Sequence, residues 1–185
     1  TDGDLYSWGH NRVGQLGFDN NPMTNVRDFE GAFYFPHPRR VLLPPELKPV
    51  RVFAGWGHSG FITTYGQAVM CGRNETGQLG LGDRAQCRVN ERHHRYQPAF
   101  TLVPNFACSH QVVQMGCGGE HSVFLNEFGE VFSVGCGTQG QLGHGNMNSV
   151  DYPQVISALQ ATNRPALEVS CGKTCTLVRA GGYQP

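Results

Sequence analysis

Tyr6-Ser7-Trp8-Gly9-His10-Asn11-Arg12-Val13-Gly14-Gln15-Leu16-Gly17 decides the fold, because its last four residues return twice more along the chain. The copies are Gly77-Gln78-Leu79-Gly80 and Gly140-Gln141-Leu142-Gly143, each 63 residues after the one before. Eleven residues upstream of each copy stands another glycine: Gly3, Gly66 and Gly129. Downstream, Gly55-Trp56-Gly57-His58-Ser59 is matched at the same spacing by Gly118-Gly119-Glu120-His121-Ser122. A third match, Gly172-Lys173-Thr174-Cys175-Thr176, follows after 54 residues. A fixed period of this length marks a repeat architecture, in which each unit is one supersecondary module.

Each unit reads as short strands joined by turns. Leu5 to Trp8, Ala68 to Cys71 and Val131 to Val134 are four-residue apolar or aromatic runs, too short for helices and flanked by glycine. Two residues after the glycine that follows each run stand Asn11, Asn74 and Gly137. Asparagine and glycine best tolerate positive φ, so these three positions are expected to be left-handed. A second strand pair surrounds the His-Ser motif, giving about four strands per unit, the pattern of a propeller blade.

With these residues assembled, Tyr6 to Gly17 resembles the first half of the regulator of chromosome condensation repeat, and Gly118 to Ser122 resembles its second half. The resemblance implies an all-β fold: a β-propeller, normally seven-bladed, with each repeat spread over two neighbouring blades. Here three units make a partial propeller of about three blades. The units are expected at 1–63 with an insertion at 18–37, 64–126 with an insertion at 81–97, and 127–181. Family members implied by the resemblance include a Ran exchange factor on chromatin, substrate-binding modules of giant ubiquitin ligases, and adaptors. One fold serves many sites.

Composition narrows the function. Glycine supplies 25 of 185 residues, twice the usual ~7%. Charged residues are 15% and the formal net charge is zero, so no chain-wide field favours nucleic acid or a membrane surface. No apolar run reaches the ~18 residues of a membrane span. Seven scattered cysteines read as reduced thiols of an intracellular protein, nuclear or cytoplasmic. The start at Thr1 and the end near Gly181-Gly182 read as a segment of something longer or a processed form, with further repeats or other chains needed to close the ring.

Catalytic and metal readings find little support in the sequence. The His-Ser pairs recur at one repeat position without an accompanying acid, so His58 and His121 are expected to tie neighbouring turns together. Cys117-x3-His121 and Cys171-x3-Cys175 have zinc-like spacing, but they occupy equivalent repeat positions rather than one site. No metal, cofactor, catalytic residue or enzymatic activity is therefore expected. The structural motif comprises the three Gly-Gln-Leu-Gly segments with His58 and His121.

Partner contacts are expected in the two insertions, which follow Gly-Gln-Leu-Gly in their units and should emerge on one face. The second carries Arg84, Arg88, Arg92 and Arg95, which would share one side if the segment were helical. The first carries Phe29, Phe33, Tyr34 and Phe35 ahead of Arg39 and Arg40, the residue types of interface hot spots. The leading functional expectation is a non-catalytic interaction module presenting loops to a protein partner, an acidic surface above all. The alternative is a guanine-nucleotide exchange factor for a Ran-type small GTPase with chromatin association.

Overall fold

The computed structural model describes residues 3–19, 26–27, 33–104 and 111–182. Phe29, Cys108 and much of the first insertion lie outside the described residues. The described residues build four antiparallel sheets. The first joins β1 (Tyr6–His10), β3 (Phe33–Arg40) and the short β2 (Val26–Arg27). The second, in the order β4-β5-β6-β8-β7, joins β4 (Pro49–Ala54), β5 (His58–Thr63), β6 (Ala68–Arg73), β8 (Arg95–Leu102) and β7 (Arg88–Val89). The third joins β9 (Val112–Cys117), β10 (His121–Asn126), β11 (Val131–Gly135) and β12 (Val150–Val155). The fourth pairs β13 (Ala166–Cys171) with β14 (Thr176–Ala180).

The second and third sheets are complete blades, and the first and fourth are half-blades. Three repeats' worth of strands are shared out this way because each repeat straddles a blade boundary. Unit one gives β1 and β3 to the first sheet, and β4 and β5 to the second. Among the described residues helix is confined to the 3-10 turn Arg84–Gln86 and the four-residue α1 (Ser157–Gln160). None is long and apolar enough to cross a membrane.

The hydrophobic core lies between blades, not within them. Ile62 and Met70 of the second sheet, with Leu79 of the turn that follows it, meet Met115, Phe124 and Val134 of the third. Val123, Leu125 and Val131 pack on Ala166 and Val169 of the fourth. Phe61, Val69 and Leu47 pack under Leu5. Strands β10 and β11, with neighbours on both faces, are buried along their whole length. This is why the apolar runs read as continuous rather than alternating.

The strand that pairs after the apolar run carries an irregularity at the same place in all three units. The register between β6 and β8 shifts between Met70 and Gly72, and the equivalent shifts occur between β11 and β12 and between β1 and β3. A proline falls in each shifted segment: Pro36 and Pro38, Pro98, and Pro153. Proline cannot donate to a ladder, so it sits where the pairing is interrupted.

Candidate interaction face

The Gly-Gln-Leu-Gly turn is held by side chains. The Asn11 amide oxygen accepts from the Leu16 backbone N–H at 2.9 Å, and Asn74 accepts from Leu79 at 3.0 Å. One turn further on, Gln15, Gln78 and Gln141 accept from the N–H two residues earlier, at 3.1, 3.0 and 2.9 Å. Leu16, Leu79 and Leu142 are thereby pressed into the interior.

These bonds correct the expected turn geometry. Asn11, Asn74 and Gly137 do not have positive φ; in this segment it is glycines that do, among them Gly9, Gly72 and Gly135, at 104°, 105° and 105°. Asparagine is here a buried side-chain acceptor, an equally good reason for its recurrence. Gly137 has no side chain to play that part, and a Cβ there would collide with the Asn148 carbonyl.

The histidines join blades. The Ser122 hydroxyl on β10 donates to the Gln78 carbonyl at 2.7 Å and lies 3.0 Å from His58 Nε2 on β5. A hydroxyl has one proton, so Nε2 must donate to Ser122, which fixes the His58 tautomer. One interface along, Thr176 donates to the Gln141 carbonyl at 2.8 Å and meets His121 Nε2 at 3.0 Å. At the first interface the Cys71 thiol donates to the Gln15 carbonyl at 3.6 Å. Nδ1 of both histidines is buried without a hydrogen bond, and the backbone of His121 near His58 and of Cys175 near His121 only partly offsets the loss of water for a second ring proton. Burial accordingly drives the His58 pKa from 6.5 to about 4 and lowers that of His121.

The cysteines are unbridged at all six described positions. Burial pushes the Cys71 and Cys117 thiols well up and Cys171 to about 12, so these groups stay protonated and unreactive. Among the described residues no three His, Cys, Asp or Glu side chains are grouped to hold a metal.

The second insertion is not helical beyond its 3-10 turn. Asp83 caps that turn, accepting from Ala85 N at 2.8 Å, and the chain then forms the β7–β8 hairpin. The hairpin bend is set by Asn90, whose side chain accepts from the N–H groups of Arg92 and His94. The four arginines consequently do not line one side of a helix. Arg84 donates to the Glu75 carbonyl at 2.7 Å and pairs with Asp151 of the next blade at 3.1 Å. Arg95 donates to the Arg84 carbonyl at 3.2 Å. Arg88 reaches Asp19 in the first insertion at 2.6 Å, bringing the two insertions together. Arg92 is exposed at the bend and makes no ion pair with a described residue.

In the first insertion, Phe33 and Tyr34 are half-buried on β3. Arg39 lies over the rings of Phe18 and Phe35 at 4.7 and 5.6 Å. Arg40 pairs with Asp4 at 2.7 Å. Because Arg40 opposes Tyr6 while Tyr34 opposes His10, the two residues sit at opposite ends of the strand.

A second feature of this face was not picked out from the sequence. The turns Gly55-Trp56-Gly57, Gly118-Gly119-Glu120 and Gly172-Lys173-Thr174 are equivalent hairpin tips on neighbouring blades. They are stitched together by Trp56 N–H to Gly118 O at 3.2 Å and Gly119 N–H to Lys173 O at 3.0 Å. Trp56 and Lys173, from the first and third units, meet over the bare Gly119, with the ammonium 4.2 Å from the ring centroid. Arg73 N–H donates to Gly57 O and the next N–H, of Asn74, donates to Arg95 O, so this row and the second insertion lie at the same end of the second sheet. The only advance signal was that Trp56, Gly119 and Lys173 occupy one repeat position.

The model of the regulator of chromosome condensation (RCC1) repeat matches residues 2–62, 65–125 and 129–179. The chain belongs to this family. Over 96% of its length it is 31% identical to the human protein named "Probable E3 ubiquitin-protein ligase HERC3", and it spans 15% of that protein. It is also 31% identical, again over 96% of its length, to the human RCC1-like G exchanging factor-like protein, of which it spans 37%. Among solved structures, Prp20p from Saccharomyces cerevisiae covers the whole chain with a TM-score of 0.82 and 24% identity, the chain matching 41% of that protein. That likeness establishes the propeller fold.

The relatives of this RCC1-repeat chain overturn the expectation of no enzymatic activity. Proteins named as ligases are similar to this chain, which spans only 14–15% of HERC3 and HERC4. The lack of a catalytic constellation in three repeats therefore gives no ground to deny activity to the protein that contains them.

Proposed function

We propose that this RCC1-type propeller segment presents its insertion face to a protein partner with an acidic surface. The observation that carries the reading is the Arg88–Asp19 contact, which joins the two insertions into one surface and leaves Arg92 beside them without an ion pair to a described residue. On this reading Arg88 and Arg92 touch the partner directly. Arg84 and Arg95 hold the hairpin through the Glu75 and Arg84 carbonyls. Phe33, Tyr34 and Arg39 form the aromatic margin, with Arg40 at the far end of β3. The unbridged thiols support an intracellular setting. The repeat units are taken as 1–63, 64–126 and 127–181.

The test is affinity capture from cell extract by the full-length protein and by a variant with Arg88→Ser and Arg92→Ser. The reading expects salt-sensitive partners to be lost from the variant at an unchanged thermal transition. Identical partner sets would end it.

A second reading, guanine-nucleotide exchange on a Ran-type GTPase with chromatin association, draws support from the exchange-factor relative. Release of a fluorescent guanosine diphosphate from a Ran-type GTPase, with and without the full-length protein, decides it. An unchanged release rate would leave the first reading alone.

A further inference from the structure

The tip row beside the insertion face has its own chemistry. Trp56 is 68% exposed, yet one face of its indole is already covered by the Lys173 ammonium. Lys173 is one of two lysines in the chain, with Lys48. Its ammonium carries three donors and makes no ion pair with a described residue. The acid of the row, Glu120, is engaged with Arg73 at 3.2 Å. Among the described residues, the tips thus end in one positive charge without an ion pair, set on an exposed aromatic platform.

Gly119 makes this arrangement possible. A Cβ at that position would stand 2.5 Å from the Lys173 carbonyl and 3.2 Å from Lys173 Cγ. Any side chain there would drive Lys173 off the ring. The ring also restrains the lysine stem, so a ligand meets a cation whose rotamer freedom is already reduced.

We infer that Trp56 and Lys173 form a binding site for an acidic segment of a protein partner that carries an apolar side chain next to its carboxylates. The carboxylate bonds the Lys173 ammonium while the apolar neighbour lies on the exposed indole, the pairing of charge and aromatic area found at interface hot spots. A basic segment is disfavoured, because the Lys173 ammonium beside the ring repels it. The site rests on the reading of the propeller as an interaction module but uses none of the arginines assigned above.

The test follows the two indole N–H resonances of the isotopically labelled protein, Trp56 being assigned with a Trp8→Phe variant. The probes are the blocked peptides Gly-Glu-Asp-Leu-Glu-Gly and Gly-Lys-Lys-Leu-Lys-Gly. The acidic peptide is expected to shift the Trp56 resonance, with an affinity that falls as salt rises. Lys173→Met should weaken binding roughly tenfold, as should Trp56→Leu, while both variants keep the parent's amide spectrum elsewhere. A variant with all four insertion arginines changed to serine should bind the peptide as the parent does.

The inference is overturned by no shift up to about 5 mM peptide, a concentration at which even contacts of roughly 3 kcal/mol register. It is equally overturned by a matching shift from the basic peptide, or by unchanged affinity in Lys173→Met. Loss of the shift in the arginine variant alone would move the acidic segment to the insertions, sinking this site and leaving the proposed function standing.

Discussion

Acidification should loosen the joint between the two complete blades through a single ring. In the folded protein His58 has a pKa of about 4 against 6.5 for an unhindered histidine, because it is fully buried with Nδ1 unpartnered. The folded-state pKa is the lower one, so the unfolded chain takes up a proton first as pH falls. Stability from this source is complete above the unfolded value and declines between pH 6.5 and 4. At pH 5 the two proton affinities differ in their effect by about 2 kcal/mol, and at pH 4 by about 3 kcal/mol.

The assay is urea unfolding at pH 7, 6 and 5, on the parent and on His58→Gln, whose amide retains a donor for Ser122 but does not titrate. The variant is expected to be less stable at pH 7 and to lose about 2 kcal/mol less than the parent on going to pH 5. Carboxylates contribute equally to both proteins and cancel in the comparison; of the other histidines, His121 is the one whose charge bears on His58. Parallel pH profiles would refute the assignment of a burial-lowered pKa to His58.

Three further outcomes follow from the turns and the joints. Ser122→Ala removes the acceptor of His58 and a donor to the Gln78 carbonyl, and should cost roughly 1–3 kcal/mol in chemical unfolding. Asn74→Ala strands the Leu79 N–H in the interior and should cost a similar amount, roughly 1–3 kcal/mol, whereas a left-handed requirement would instead be relieved by Asn74→Gly. Gly77→Ala and Gly140→Ala both force alanine into left-handed φ, costing about 1 kcal/mol each. Only Gly77 also collides, with Asp151 and the Val150 carbonyl, so its variant should unfold at a clearly lower temperature.

The period was legible because glycine, leucine and histidine recur where backbone conformation, burial and interblade bonding recur. What escaped were the places where one residue type has two physical uses. Asn11 and Asn74 satisfied a left-handed reading and a side-chain-acceptor reading equally well, and only the Leu16 and Leu79 N–H bonds separate them. The second insertion fitted a helix by arginine spacing, but Asn90 bends it into a hairpin by accepting two backbone N–H groups. The Trp56–Lys173 contact lay further out of reach. It joins residues two repeats apart, and the residue that permits it is significant for lacking a side chain.

The straddling of blade boundaries by each repeat has a mechanical consequence. The step from β3 to β4 carries the chain from one blade to the next through residues 41–48, and that from β12 to β13 does so through 156–165. Neighbouring blades are thus leashed by short covalent tethers as well as by the serine and threonine pins. If a pin opens, the separated faces remain at an effective concentration of order millimolar. Parting is then followed by prompt re-closure instead of escape, and the propeller behaves like a hinged chain of plates whose joints can breathe one at a time.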